Sequence, residues 1–359
     1  VGMPAKSGVS GCIIAAIPGQ IGICVYAPPI DKQGNSLRGI AVCQDVSHEF
    51  QLHAFYNHTN VRSVLRRDYR ADMVRSNRLR TSAERTLLAE EGRSISVLEA
   101  QGALFFGSTE QLLRRLTILA RDSKFLIVDF KRVHHADRAA CKMIVRAVRA
   151  IAASDTELVF ASIDNEGSLD RLTRALAESQ EGHEMRQFRD VDAALEWCED
   201  QILTSDGFGV GTKFSLHQIN LFDGLSPEEC RLVEGIVRPL IFEKGDVIMR
   251  EGDPAKLFFV LARGTVSVEI QLYDKPGKHK RVASIGPGLT FGEMALLDGG
   301  KRSANVIANE KVICYGLGVE ALHELAEEHP NVMITILSTQ TREFSERLRH
   351  ANEEISVLE

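Results

Sequence analysis

The sequence predicts a multidomain α+β protein. Its 359 residues are more than one hydrophobic core usually holds, and 44% of them are hydrophobic, which is enough to bury several cores. In the middle of the chain, apolar runs alternate with helical patterns, which is typical of an α/β sheet. In the last third, short strands are separated by glycine and proline, which favours an all-β roll.

The composition argues against several classes of protein. The formal net charge is −6, which disfavours a nucleic-acid binder. No apolar run approaches the ~18 residues that cross a bilayer, and no signal-peptide pattern is present. Seven scattered cysteines without a CxxC pair indicate reduced thiols rather than disulfides or a zinc site. We therefore expect a cytoplasmic homo-oligomer that holds no metal and contacts neither nucleic acid nor membrane.

The first 64 residues predict a hairpin and a helix. Two apolar runs are joined by Pro18-Gly19, a turn signal. Residues 39–55 then carry apolar side chains at helical spacing, which predicts an amphipathic helix. The chain starts on a loop at Val1, without methionine, so we expect it to be the C-terminal portion of a longer protein.

Residues 65–92 form a strongly charged stretch. Its arginines could suggest a nucleic-acid surface, but acidic residues are interspersed and no aromatic platform accompanies them. We therefore interpret the stretch as a solvated linker helix. The arginines concerned are Arg66, Arg67, Arg70, Arg75, Arg78, Arg80 and Arg85.

The segment from Phe291 to Val306 reads FGEMALLDGGKRSANV and suggests an anion site. A short helix that begins near Gly292 would present free N–H groups to an anion. Arg302 can donate two parallel hydrogen bonds to a phosphate. Glu293 would repel a phosphate and instead suits a hydroxyl donor such as a ribose 2′-OH. A ligand that offers both groups close together is a cyclic nucleotide.

At these residues the sequence resembles the cyclic nucleotide-binding domain family, over about residues 216–350. The resemblance implies that Glu293 binds the ribose hydroxyl and Arg302 the cyclic phosphate of cAMP or cGMP. It also implies contacts from Gly292, Met294, Ala295 and Ser303. A base-covering residue would come from the tail helix, with Thr339 and Thr341 as candidates. The alternative is a degenerate cassette that binds nothing, and the presence of both charged residues favours binding.

Residues 93–203 resemble a STAS domain, a sheet-and-helix module. The segments that carry the resemblance are VLEAQGALFFGSTEQLLRRL, FLIVDFKRVHHADRAA and DVDAALEWCEDQIL. Regulated members have a phosphorylatable Ser or Thr after the aspartate of the central loop, whereas here Arg138 follows Asp137. This departure favours a scaffold or partner-binding role. His134 and His135 are interpreted as ordinary loop histidines rather than metal ligands.

Residues 1–60 closely resemble the C-terminal end of the serine-dependent glutaminases, which share a β-lactamase-like fold and hydrolyse L-glutamine to L-glutamate and ammonia. The segment that carries the resemblance is VGMPAKSGVSGCIIAAIPGQIGICVYAPPIDKQGNS. It implies that Lys6, Ser7 and Gly8 form the Lys-(Ser/Thr)-Gly strand at the active-site edge. It also implies that the N–H of Val9 lies near the carbonyl that becomes an oxyanion. A loop lysine is the alternative, which the length of the match disfavours.

The nucleophile of that fold is absent from these 359 residues. It would be a serine three positions before a lysine, and none of the thirteen lysines has a serine there. We therefore expect no catalytic residue in this chain, no activity from this chain alone, and no cofactor for catalysis.

These observations together predict five segments. They are the end of a glutaminase catalytic domain (1–64), a charged linker helix (65–92), a STAS domain (93–203), a linker (204–215) and a β-roll cyclic nucleotide-binding domain with a C-terminal helix (216–350). The full enzyme would be an amidohydrolase tuned by a cyclic nucleotide. The alternative is a non-enzymatic sensor or scaffold that binds a protein partner through its STAS domain.

Overall fold

The computed structural model describes residues 2–17, 21–50, 52, 64–163, 169–179, 186–208, 214, 216, 219–272, 279–293 and 300–358, with backbone only at 179, 346, 347 and 350–358. Contacts divide the chain into two compact units. The first comprises residues 1–71 and 93–195, and the second comprises residues 72–92 and 196–359. No helix in the described ranges is both long and apolar enough to span a membrane.

The first unit opens with a three-stranded antiparallel sheet. Strands β2 (Cys12–Ile17) and β3 (Ile21–Tyr26) form the predicted hairpin, and β1 (Ala5–Gly8) pairs with the other side of β2. Alternate residues of β2 are buried, as expected when one face of a sheet is covered. Helix α1 (Leu37–Glu49) packs on that face and confirms the predicted helix up to Glu49. The helix ends there because Phe50 and Leu52 are not helical, and residues 51 and 53–55 lie outside the described ranges.

A five-stranded sheet follows in the same unit. Its strands, in sheet order, are β4 (Leu65–Arg70), β6 (Ile95–Leu104), β7 (Phe125–Ala136), β8 (Glu157–Ala161) and β9 (Arg186–Phe188). Strand β4 is antiparallel to β6, and the other pairings are parallel. The apolar stretches of β6 and β7 are almost continuously buried, which is typical of the centre of a parallel sheet.

Helices complete this α/β architecture. They are α3 (Phe106–Ala120), α4 (Arg138–Ala152), α5 (Asp170–Ser179) and α6 (Val191–Ser205), which continues into the second unit. Helix α4 is strongly amphipathic because its apolar residues recur every three or four positions and join the core. The Asp137 carboxylate accepts a hydrogen bond from the Ala140 amide at 2.7 Å and so caps the start of α4.

The second unit contains two antiparallel sheets, as the predicted roll requires. One sheet consists, in order, of β10 (Val237–Phe242), β17 (Val312–Gly318), β12 (Leu257–Arg263) and β15 (Thr290–Phe291). The other consists, in order, of the antiparallel strands β11 (Val247–Met249), β16 (Asn305–Ala308), β13 (Val266–Gln271) and β14 (His279–Ile285). A short fifth strand, β5 (Arg78–Leu79), adds to this sheet and pairs in parallel with β14. One hydrophobic cluster takes residues from both sheets, so the core lies between them.

Three helices flank this roll. Helix α7 (Pro227–Ile236) begins with a capping box formed by Ser226 and Glu229. Helix α8 (Val319–Glu328) is followed by the predicted tail helix, α9 (Pro330–Leu358). A second cluster joins both helices to the roll through residues such as Leu322 and Ile336.

The stretch 65–92 is not one solvated linker helix, so that prediction is wrong. It contributes β4 to the first unit and β5 (Arg78–Leu79) to the second, where β5 pairs in parallel with β14. Only α2 (Ser82–Glu91) is helical. The side chains of Arg78 and Arg80 are 8% and 3% exposed and pair with carboxylates of α6. Those carboxylates lie about 120 residues later in the chain, so local charge patterning could not reveal them.

Candidate functional site

The cassette arginine of the roll is buried and held by the main chain. Arg302 Nη1 donates to the Gly292 carbonyl at 3.0 Å, and Nη2 donates to the Leu257 carbonyl at 2.5 Å. The guanidinium also lies over the Phe259 ring, 5.7 Å from its centroid. Burial lowers the pKa of Arg302, and the nearby carboxylates of Glu293 and Asp253 oppose that shift. The guanidinium is therefore held in one orientation by the protein itself.

Gly292 is required at its position for two reasons. Its φ is +75°, a conformation that L side chains rarely adopt. A Cβ there would lie 2.5 Å from Arg302 Nη1 and 2.9 Å from Met249 Sδ. Because Gly292 has no Cβ, the Arg302 guanidinium can lie against the backbone at this position. Such an arrangement suits the binding of a small anion.

The other predicted cassette residues are only partly described. Glu293 directly follows Gly292 and is half-buried, whereas Ser303 is exposed beside Arg302. Met294 and Ala295 lie outside the described residues, as does the short helix predicted to begin near Gly292. The structure therefore brings together Gly292, Glu293 and Arg302 around one backbone turn.

The sequence analysis missed the contact between β15, which leads into the predicted cassette, and α9. Thr290 Oγ1 donates to Gln340 Oε1 at 3.3 Å, and both residues are buried. Thr341, one of the candidate base-covering residues, instead donates to the Leu337 carbonyl within the helix. The signal was available: Gln340 continues the four-residue spacing of the buried Val332 and Ile336, so a polar residue occupies a core position.

The predicted glutaminase residues lie together at the end of an edge strand. Lys6, Ser7 and Gly8 belong to β1, which pairs with β2 alone among the described strands. Lys6 is exposed, and its ammonium donates to the Ser7 carbonyl at 2.8 Å. Val9 begins the turn after β1 and is 82% exposed. Lys6, Gly8 and Val9 are therefore accessible, whereas Ser7 is partly buried.

Ser7 is positioned by the loop that follows β3. Its hydroxyl donates to Asn35 Oδ1 at 2.5 Å, and the backbone N–H of Asn35 donates to Asp31 Oδ1 at 2.8 Å. The hydrogen bond from the Asn35 backbone, together with neighbouring ones, holds the pKa of Asp31 below its ordinary value. An aspartate before a Gly-Asn pair is typical of such a turn and was the available signal.

The five-stranded sheet presents no phosphorylatable hydroxyl after Asp137. Arg138 stands there, exposed, in the first turn of α4. His134 and His135 are exposed and lie in β7, not in a loop, because the strand extends to Ala136. Within the described ranges, no group of three or more metal-binding side chains comes together.

Comparison with known proteins matches each of these regions to a family. Residues 1–55 match the Glutaminase family model, residues 86–179 the STAS domain and residues 239–329 the Cyclic nucleotide-binding domain. The chain joins a glutaminase segment to a STAS domain and a cyclic nucleotide-binding domain. This fused architecture and its multidomain α+β fold were both predicted from the sequence, and both are confirmed.

Similar proteins match different lengths of the chain. Glutaminase 2 of Bradyrhizobium diazoefficiens is 31% identical over 360 residues, which cover 100% of this chain and 56% of that protein. The chain thus spans little more than half the length of this relative. The Glutaminase of Trichormus variabilis is 54% identical over 55 residues, 15% of this chain and 16% of that protein. The Catabolite Activator Protein of Thermus thermophilus is 31% identical, with a TM-score of 0.34, over 39% of this chain and 62% of that structure.

Proposed function

We propose that the whole protein is a glutaminase, which hydrolyses L-glutamine to L-glutamate and ammonia. Residues 1–64 would supply the C-terminal edge of its active site. The observation that carries this proposal is the similarity of the full chain to Glutaminase 2. The intact Lys6-Ser7-Gly8 sequence on an accessible edge strand supports it further.

Each residue of this edge has a proposed role. The Lys6 ammonium and the Ser7 hydroxyl would polarise the substrate, while Gly8 leaves the backbone accessible. The N–H of Val9 would lie near the substrate carbonyl and stabilise the oxyanion. The hydrogen bond from Ser7 to Asn35 would hold the hydroxyl in one orientation. The serine nucleophile would come from residues outside the 359 described by this sequence.

We propose that the roll binds cAMP or cGMP as a regulatory ligand. The buried Arg302 would bind the cyclic phosphate, and Glu293 would accept a hydrogen bond from the ribose 2′-hydroxyl. Gly292, Met294 and Ala295 would contact the ligand through the backbone, and Ser303 through its hydroxyl. The carbonyls that already orient Arg302 support this assignment, because a pre-oriented fork loses little entropy on binding.

The remaining roles concern location and assembly. We propose a cytoplasmic homo-oligomer in which the STAS domain binds a protein partner. The exposed Arg138 after Asp137 supports partner binding without a phosphorylation switch. We retain four of the five predicted segments, which are 1–64, 93–203, 204–215 and 216–350. The stretch 65–92 is not retained as a linker helix, because it contains β4, β5 and α2.

Two measurements test the proposal. Ammonia release is measured from the product of the complete reading frame, with glutamine as substrate, in the absence and presence of cAMP or cGMP. Calorimetric titration of each nucleotide then measures binding directly. A product that releases ammonia and responds to one nucleotide supports the regulated enzyme. Nucleotide binding without ammonia release from the complete product favours the non-enzymatic sensor instead.

A further inference from the structure

A basic groove runs between two helices of the STAS domain. It has a volume of about 730 Å³ and lies between α4 and α5. Its floor is small and apolar, formed by Cys141, Val145 and Ala175. Its rim carries four cations and one carboxylate, which are Arg138, Lys142, Arg149, Arg171 and Glu178.

The cations follow one side of α4. Lys142 lies four residues after Arg138, and Arg149 lies eleven residues after it. Along the helix axis, their Cα atoms are therefore about 6 and about 16 Å from that of Arg138. Arg171 stands opposite them on α5. Burial raises the pKa of the Cys141 thiol, and the charge of Arg171 opposes that shift. The positive charge is therefore spread along a line rather than gathered at one point.

Two local features favour an anion at this groove. Arg138 lies in the first turn of α4, where the helix dipole disfavours a cation. An anionic partner would offset this unfavourable electrostatic interaction. Lys142 pairs with Glu49, but both side chains are about half exposed, at 56% and 48%. Such an exposed pair contributes little stability and can exchange for another carboxylate. On α5, Arg174 is already paired with Asp170 and adds no net charge.

We propose that this groove binds an acidic segment of a protein partner. The linear array of cations matches carboxylates spaced along a peptide better than it matches a compact anion. Among the described residues that line the groove, none has an aromatic ring on which a nucleic-acid base could stack. The inference deepens the partner-binding role proposed above for the STAS domain, and it is independent of glutamine hydrolysis and nucleotide binding.

The test uses the full chain and a fluorescein-labelled oligoglutamate peptide long enough to span about 16 Å. Fluorescence anisotropy measures binding, which should weaken as salt is added. The double variant Arg138→Glu/Arg171→Glu should bind at least about tenfold more weakly, because like charges then face the peptide. The control Arg114→Glu/Arg121→Glu makes the same change in net charge at two exposed positions outside the groove, one on α3 and one directly after it. It should change the affinity less than about twofold.

Further measurements guard against misfolding and nonspecific attraction. All variants should keep the wild-type circular dichroism spectrum. The variant Arg138→Ala/Arg171→Ala should lose less affinity for the peptide than Arg138→Glu/Arg171→Glu does. If the wild-type chain does not bind oligoglutamate, the proposal of an acidic partner is refuted together with its binding site. If the groove and control variants lose affinity equally, only the assignment of the binding site to the groove is refuted. Equally tight binding of an RNA oligonucleotide of the same charge would show a general polyanion surface and refute the proposal.

Discussion

Arg302 illustrates how a side chain that is held by the fold can also belong to a proposed ligand site. Two backbone carbonyls and the Phe259 ring fix its guanidinium. The same contacts compensate for the burial of a charged group, which would otherwise be expensive. Loss of this side chain should therefore affect ligand binding strongly.

We predict that Arg302→Ala weakens cyclic nucleotide binding by about two orders of magnitude, because two charge-assisted hydrogen bonds to phosphate are lost. Arg302→Lys should recover only part of the affinity, since an ammonium cannot donate a parallel pair. Calorimetric titration of the full chain measures both. The exposed Arg238 of β10 supplies a control, and Arg238→Ala should bind like the wild type. Unchanged affinity in Arg302→Ala would remove the arginine from the proposed site.

Asp129 is a buried carboxylate at the centre of the five-stranded sheet. It is 5% exposed. Burial raises its pKa, an effect that hydrogen bonding partly offsets and the nearby Glu99 reinforces. The folded protein therefore holds this proton more tightly than the unfolded chain does. The contribution of Asp129 to the free energy of unfolding is then most favourable at low pH and declines as pH rises from the ordinary aspartate range through the raised folded value.

We predict that Asp129→Asn removes this decline. The free energy of unfolding of the wild type, relative to the variant, should fall as pH rises through that window and stay constant above it. Urea unfolding followed by circular dichroism at several pH values measures the difference. Asp122→Asn, at an exposed position, is the control. A wild-type curve that runs parallel to the Asp129→Asn curve across the window would contradict the assignment.

At the scale of elements, β5 and α6 are joined by a buried ionic network. Arg80 donates to both Glu199 and Asp200, while Arg78 donates to Asp200 and to Glu196. Glu199 also accepts from the backbone and hydroxyl of Ser76, at 2.8 and 2.6 Å. The network fastens residues 72–92 to the second unit, although they interrupt the strands of the first unit in the sequence.

We predict that Arg80→Ala lowers the free energy of unfolding by about 3–5 kcal/mol, because Glu199, 2% exposed, would remain buried without its cation. The only tryptophan of the chain, Trp197, lies on α6 beside these carboxylates, so its fluorescence in urea reports the change. Arg114→Ala, which removes an exposed pair with Glu110 on α3, should change the value by less than about 1 kcal/mol. Equal effects of the two substitutions would show that burial of the network contributes nothing.

At the scale of the whole molecule, the proposed active site is incomplete within these 359 residues. The proposed edge, Lys6 to Val9, is present, but none of the lysines has a serine three positions before it. Catalysis by this fold requires that activated serine. The chain and the product of the complete reading frame should therefore differ in activity.

We predict that the 359-residue chain releases no ammonia from glutamine, whereas the product of the complete reading frame does. Lys6→Ala in the complete product should then lower turnover, because the substrate loses a polarising cation. Lys32→Ala, on the loop after β3, is the control and should leave turnover unchanged. Ammonia release measures all four proteins. Activity from the 359-residue chain itself would refute the proposed mechanism.

Local sequence patterns predicted most of the elements. The hairpin of β2 and β3, the alternating strands and helices of the STAS domain and the tail helix all follow from apolar periodicity and turn residues, which act over a few positions. The cassette was equally visible, because Glu293 and Arg302 are close in sequence. The orientation of Arg302 was not, since its second carbonyl partner, Leu257, lies 45 residues away.

Pairings between distant residues were decided only by the tertiary structure. Sequence alone determined the three modules, their order and the residues of the candidate sites, because those depend on local composition and motifs. It could not show that Arg78 and Arg80 are buried, that Asn35 orients Ser7 or that Gln340 meets Thr290. A charged or polar side chain has the same local pattern whether it faces water or a buried partner. Which of these occurs depends on contacts across 28 to 123 residues that only folding brings together.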